Sequence, residues 1–488
     1  MKQLLAASLI GCVALAGCAD VDEGPAESGW SVGGETTVGM SADCAETVEP
    51  SWFTEQPSMW YQPSFFGFSP NSGLLLRADS VMASAVAYRA ADGEEFYAGV
   101  GPYSHAVDAH WRLEARGQAY TNDIDVVDRA TDEVLATVEL GDTSSWVPAA
   151  SFGPQGELFT VFSCVETGLR VSVWSIADDA SVLDVELDTG ERCNGYYSPN
   201  PEIAYTPDAG ALVLTLPSTG ELVHVDLREE RVTSVLAHEP AEGDHNMLPV
   251  EGILDLAVHP TGEFAATSGV DGKVRFWTLP GLEPVGEPLT AGVAAVNLNT
   301  YAPPHRVSPL EWTPDGRLLA MMSPSGDMVL RERTGETVST LVSPEFEGWI
   351  PEGTTDGIVN PPMAIAFDEN GRIGVGSYLS AGIWTCGEEV IDHREGGLDA
   401  QIELEGPEEL RAGRRGVFHA RVEGADAPMV MRLVVDGEQQ LWPQRGGSFN
   451  WHAYEPGTYH VVLEVDDGTA SATREMTVEV TPDTTLER

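Results

Sequence analysis

Two imidazoles and three carboxylates fall within nine residues at His238-Glu239-Pro240-Ala241-Glu242-Gly243-Asp244-His245-Asn246. Imidazole nitrogens and carboxylate oxygens are the donors that zinc or another divalent cation takes, so His238, Asp244 and His245 are candidate metal ligands. Such a loop is usually just solvated, and metal binding is the alternative reading. No Gly-x-Ser-x-Gly elbow, His-Glu-x-x-His pair or phosphate-cradling glycine loop occurs, which leaves hydrolase, zincin and nucleotide-binding chemistry without a motif. Asp271-Gly272-Lys273-Val274 is a hairpin rather than part of a nucleotide loop, and Asp466-Asp467-Gly468, set between two alternating stretches, is a turn rather than a calcium loop. No catalytic residue is nominated and no cofactor is expected, a divalent cation at the His238 loop being the alternative.

The elements that must carry these residues repeat. Between Ser64 and Asp392 the chain cycles through a short apolar strand, a Pro-x-Gly or similar turn, a second apolar strand, a turn and a third strand. Turn glycines are expected at Gly73, Gly117, Gly156, Gly210, Gly262, Gly316 and Gly371, opening strands such as Leu158–Ser163, Leu212–Leu216 and Leu318–Met322. A strand-only period of roughly 40 to 55 residues is the signature of a β-propeller, here with seven blades over residues 44–396.

The clearest unit, ILDLAVHPTGEFAATSGVDGKVRFW from Ile253 to Trp277, resembles a WD-type repeat. It has an alternating strand into His259-Pro260-Thr261-Gly262, small residues at Ala265–Ser268, and an Asp271-Gly272 hairpin whose residues suit positive φ angles. The match is looser at SFGPQGELFTVF, AYTPDAGALVLTL, EWTPDGRLLAMM and AFDENGRIGVGS, and the unit around Trp111 lacks the proline. Thr278 stands where the repeat's Asp would follow Trp277, and no unit shows a clear Gly-His pair.

Both ends of the chain read differently. Residues 1–17, MKQLLAASLIGCVALAG, form an apolar stretch of export-signal length, too short for a permanent span. Leu15-Ala16-Gly17-Cys18 resembles a bacterial lipobox, which implies cleavage before Cys18 and lipid attachment to its thiol. Ala19 after the cysteine favours, by that resemblance, the outer membrane, with the protein in the cell envelope on its periplasmic or surface face. Residues 18–43, rich in Gly, Glu, Ser and Thr, read as a flexible acidic tether. Residues 399–482 alternate with period two between closely spaced turns, the pattern of a small antiparallel sandwich. Tyr454-Glu455-Pro456-Gly457-Thr458-Tyr459 and the strand after it resemble the closing half of a PKD-type immunoglobulin-like domain, with Phe449-Asn450-Trp451 in a related place. The expected fold is therefore all-β: a seven-bladed propeller followed by an immunoglobulin-like sandwich.

Of six cysteines, Cys12 leaves with the signal and Cys18 is lipidated. In an exported protein the remaining Cys44, Cys164, Cys193 and Cys386 are expected as two disulfides, and no Cys-x-x-Cys spacing supports a zinc site. Of the three connectivities, propeller geometry favours Cys164 with Cys193 on one face. It also favours Cys44 with Cys386, because the last blade needs an outer strand from Cys44–Pro50 or nearby.

The long inter-blade connections, 188–202, 237–252, 290–308 and 343–362, should gather on one face with Tyr196, Tyr197, Tyr301, His305 and Trp349 on their rim. Aromatic rims suit a protein, peptide or glycan ligand; packing of the loops onto the disc is the alternative. Acidic residues number 77 against 26 basic ones, a net charge of −51. Such a surface repels phosphate backbones and anionic head groups, so nucleic acid is excluded as a partner and the membrane is reached only through the lipid. It also points to a saline habitat, where salt screens self-repulsion. The expected protein is a monomeric, non-enzymatic binding or scaffold protein. A propeller enzyme of lactonase, glycan lyase or hydrolase, or quinoprotein type is the alternative, and it would need channel-facing charged side chains from several blades, of which the sequence shows no regular set.

Overall fold

Runs such as Ala211–Leu216 and Leu318–Met322 carry no charged residue and are buried at every position, as in strands covered on both faces. The computed structural model describes residues 44–55, 65–79, 84–97, 104–117, 123–129, 131–140, 149–165, 168–188, 201–240, 252–296, 305–342, 362–368, 370–377, 380–386, 393–395, 397–424, 429–437, 439–441 and 447–482. All of them belong to one compact unit. Residues 1–17 and the whole 18–43 segment, with Cys18, lie outside them, as do Cys193, Tyr196, Tyr197, Asp244, His245, Tyr301 and Trp349.

The described chain is all-β, and it contains no α-helix. Seven antiparallel sheets follow one another. The first is Phe65–Phe68, Leu74–Asp79, Ser84–Arg89 and Glu95–Tyr97. The second is Ser104–Val107, Leu113–Gly117, Ile124–Asp128 and Glu133–Val138. The third is Ala150–Phe152, Leu158–Val165, Gly168–Ser175 and Ala180–Asp188. The fourth is Ile203–Tyr205, Ala211–Leu216, Glu221–Asp226 and Arg231–Leu236. The fifth is Ile253–Val258, Phe264–Gly269, Lys273–Thr278 and Leu289–Thr290. The sixth is Leu310–Trp312, Leu318–Met322, Met328–Glu332 and Thr337–Leu341. The seventh is Pro362–Phe367, Arg372–Ser377 and Ser380–Thr385, completed by Pro50–Glu55 from the other end of the chain.

Each gap between successive sheets holds its own hydrophobic cluster. Phe152 and Phe159 meet Leu113 and Val126 between the second and third sheets, and Trp312 and Met321 meet Ala266 and Phe276 between the fifth and sixth. The cycle returns on itself: Ile383 and Ala366 of the seventh sheet pack on Leu75 and Tyr88 of the first. At 2–5 kcal/mol for a buried Leu or Met cut to Ala, each such layer is a large share of a fold's net stability.

One turn recurs between the first and second strands of every sheet. Its fourth residue has a positive φ and donates its N–H to the first residue's carbonyl: Ser72, Trp111, Gly156, Ala209, Gly262, Gly316 and Gly371. In five turns the first residue, Ser69, Asp108, Thr206, Thr313 or Asp368, also accepts on its side-chain oxygen the backbone N–H that opens the second strand. Four of the expected glycines take the left-handed position. Gly73 and Gly210 instead stand one residue later, and Gly117 ends its strand. Trp111, 3% exposed, accepts the strained backbone because its ring is locked among Leu74, Leu76 and Val107.

The N-terminal segment corrects a boundary. Thr47–Val48 runs parallel to Thr340–Leu341 as a fifth strand of the sixth sheet, and only from Pro50 does the chain join the seventh. Cys44 and Cys386 are joined by a disulfide with a Cα–Cα distance of 4.7 Å. Cys164 lies on a described strand opposite Leu169, but its proposed partner Cys193 lies outside the described residues.

The C-terminal module begins earlier than composition suggests, since Arg394–Glu395 already pairs with Ala470–Ser471. It comprises a six-stranded sheet and the three-stranded sheet Gln401–Glu405, Arg414–Glu423 and Ser448–Ala453, with Phe418, Phe449, Trp451 and Leu463 in their shared core. It is no free-standing spacer. Val430 enters the cluster of the first and second sheets, Arg89 and Arg432 flank the Phe96 ring at 5.6 and 5.0 Å, and Asn71 Nδ2 donates to Asp467 O at 3.0 Å. Gly468, at φ +87°, lies so close to the Gly73 backbone that a Cβ would overlap it, which is why both positions need glycine.

Candidate functional site

His238, nominated above as a metal ligand, points inward instead. Its side chain is fully buried; Nδ1 lies 3.0 Å from Asp271 Oδ1 and Nε2 lies 2.9 Å from Thr267 Oγ1. Trp277 Nε1 donates to the same Thr267 oxygen at 2.9 Å, and Arg275 reaches Asp271 Oδ2 at 2.6 Å. His238 Nδ1 also lies 2.5 Å from Arg275 Nη1, so this nitrogen faces both the Arg275 guanidinium and the Asp271 carboxylate while Nε2 meets the Thr267 hydroxyl. Burial lowers the His238 pKa, keeping the ring neutral. Against the burial that opposes it, hydrogen bonds from Arg275 and His238 hold the Asp271 carboxyl below its ordinary value. The cluster thus ties the incoming connection to the second and third strands of the fifth sheet. With both nitrogens engaged, His238 has no lone pair to offer a cation. Gly272 alone is left-handed in the hairpin, which frees Asp271 for this role.

A different group of residues, missed in the sequence, comes together on the first strands. Glu202 immediately precedes Ile203–Tyr205, Asp255 lies within Ile253–Val258, and Glu311 lies within Leu310–Trp312, so three neighbouring sheets each contribute one carboxylate. Asp255 bridges two sheets: its Oδ1 accepts Leu256 N at 2.7 Å and its Oδ2 accepts Leu310 N at 2.6 Å. Burial raises its pKa well above the ordinary carboxylate range, and the charges of Glu202 and Glu311 raise it further, while the two backbone donors oppose the rise. Protein mass around Glu202 pushes its pKa up to about 7, although the residue itself is exposed to solvent, which moderates the rise. Burial pushes Glu311 to about 7 as well. No lysine or arginine contributes to any of these three shifts.

The local reason for this placement is the repeated turn. Glu202 and Asp255 stand four places before the first turn residues Thr206 and His259, and Glu311 stands two places before Thr313. Aligning the units on their turns would have put all three on one strand position or its same-face neighbour. The carboxylates can exchange protons near neutrality and can attract a cationic group. Among the described residues no three His, Cys, Asp or Glu side chains converge closely enough to hold a metal ion.

Of the expected rim, His305 is placed on the strand His305–Val307, paired with Val296, in a ribbon between the fifth and sixth sheets. Tyr196, Tyr197, Tyr301 and Trp349 fall outside the described residues. No protein-family profile matches the chain, and no curated protein matches it.

Proposed function

We propose that the seven sheets are the blades of a β-propeller of WD-like type, that the C-terminal module is an immunoglobulin-like sandwich, and that the protein is a lipid-anchored component of a bacterial cell envelope. Its propeller face binds a protein or peptide partner through that partner's positively charged groups. The cyclic order of cores and the seven equivalent turns support the propeller, and Tyr459 Oη donating to Glu455 O at 2.9 Å suits an immunoglobulin-like corner. The observation that carries the binding role is topological. The long connections enter the fourth, fifth, sixth and seventh sheets at the start of their first strands; Glu202 immediately precedes one of those strands, and Asp255 and Glu311 lie on two others. Carboxylates without a basic partner at the start of these strands suit the basic side chains of a partner.

Titration calorimetry with an oligolysine peptide, run at pH 7 in buffers of different ionisation heat, tests this reading. Cation binding lowers the carboxylate pKa values, so binding should release protons and weaken in Glu202→Gln with Glu311→Gln. Binding of neutral glycans on an array, with no oligolysine binding and no response to those variants, would replace the cationic partner with a glycan. One observation favours a second reading. Carboxyls with pKa values near 7 suit general acid–base work, and turnover of a glycan substrate that both Gln variants abolish would establish a propeller enzyme.

A further inference from the structure

A covalent loop of 342 residues' separation, Cys44 to Cys386, encloses every strand of the seven sheets, from Thr47–Val48 to Ser380–Thr385. The C-terminal module, from Arg394–Glu395 to Ala470–Thr481, lies wholly outside it. Within the loop, residues 45–55 act as a strap. Ala45 O accepts Ser339 Oγ at 2.8 Å, Thr47–Val48 pairs with the sixth sheet, Pro50–Glu55 completes the seventh, and Trp52 Nε1 donates to Ala90 O beside the first sheet at 2.9 Å.

The register of that strap makes it weak in one direction. Pro50 pairs with Trp384 and Glu55 with Ser380, so the ends nearest Cys44 and Cys386 lie side by side. Tension applied there would load only the first pair, and the strand would unzip one hydrogen-bonded step at a time. Cys44 and Cys386 sit at the mouth of this zipper. Any pull between the segment before Cys44 and the chain after Cys386 passes from one backbone to the other through the disulfide, leaving all seven sheets outside the load path.

We propose that the Cys44–Cys386 bond is a force bypass, which lets the chain carry tension between its N-terminal segment and its C-terminal module without opening the seven-sheet body. The property rests on the topology alone and holds whatever the propeller face binds. It suits a protein tethered at one end and held by a partner at the other.

Single-molecule pulling on the full chain, with handles at the two termini, tests the device. In the oxidised protein the sheets inside the loop should add no length at forces that unfold the C-terminal module. Dithiothreitol delivers two electrons and two protons to the disulfide, leaving two thiols and its own cyclic disulfide. After this reduction the same molecules should gain about 1,200 Å of contour, at 3.3–3.6 Å per residue over the 342-residue separation, beginning at a force below that of the module. Reducing molecules already folded on the instrument avoids dependence on how Cys44→Ser with Cys386→Ser folds. That gain in the oxidised protein, or a reduced body that opens only above the module's force, would overturn the proposal.

Discussion

Two regions of this molecule hold charge in opposite ways. At the seam between the seventh and first sheets, Arg372 and Asp368 are 4% and 1% exposed and meet at 2.5 Å. Arg372 Nη2 donates across the seam to Ser72 O at 2.6 Å, and Arg77 Nη1 returns the contact to Ser377 O at the same distance. At the first strands of the fourth to sixth sheets, burial raises the pKa values of Glu202, Asp255 and Glu311, and the charges of Glu202 and Glu311 raise that of Asp255 further, with no cation among the causes. Buried charge with matched partners holds a structure together. Like charges left to repel one another cost stability, and a fold that retains them keeps them for something other than stability.

The largest effect belongs to the seam. Arg372→Ala should strand the Asp368 carboxylate and the Ser72 carbonyl, costing about 3–5 kcal/mol, read as a lowered urea midpoint with an unchanged slope. A double change, Asp368→Asn with Arg372→Met, removes both charges and should cost less than Arg372→Ala alone. Equal losses would mean that the pair matters only for its volume.

The His238 cluster is the intermediate case, a buried polar network without net repulsion. Thr267→Val keeps the shape but leaves His238 Nε2 and Trp277 Nε1 without their shared partner. The expected loss is about 1–3 kcal/mol, measured by thermal denaturation. A neutral outcome would show that water reaches the network and that the fifth sheet does not depend on it.

The repeating unit was legible wherever Pro and Gly marked the turn, as at His259-Pro260-Thr261-Gly262. It was obscured in the second sheet, whose turn Asp108-Ala109-His110-Trp111 contains neither residue and spends a core tryptophan on the left-handed position. The Cys44–Cys386 closure could be read because the last unit lacked an outer strand, although the split of Thr47–Val48 and Pro50–Glu55 between two sheets could not. His238 was misjudged because its local neighbours are acidic. Its actual partners, Thr267 and Asp271, lie 29 and 33 residues on and are brought to it by the hairpin. Glu202, Asp255 and Glu311 escaped notice for the same physical reason, since more than 50 residues separate each from the next and only the stacking of sheets makes them neighbours.

The smallest expected effect tests the unpaired side of the comparison, and its sign is opposite to the others. Glu311 has an ordinary value of 4.5 and a folded value of about 7, so between those pH values the folded chain binds more protons than the unfolded one. Stability from this group is present below pH 4.5 and is lost as pH rises through 7. Glu311→Gln removes the titration, so the variant should match the parent at pH 4 and exceed it at pH 8 by about 1 kcal/mol, the partial exposure of Glu311 itself screening the full shift. Denaturant titrations at the two pH values measure the difference. A variant less stable than the parent at pH 8 would mean that the Glu311 carboxylate has a stabilising partner, and the contrast with the Arg372–Asp368 seam would collapse.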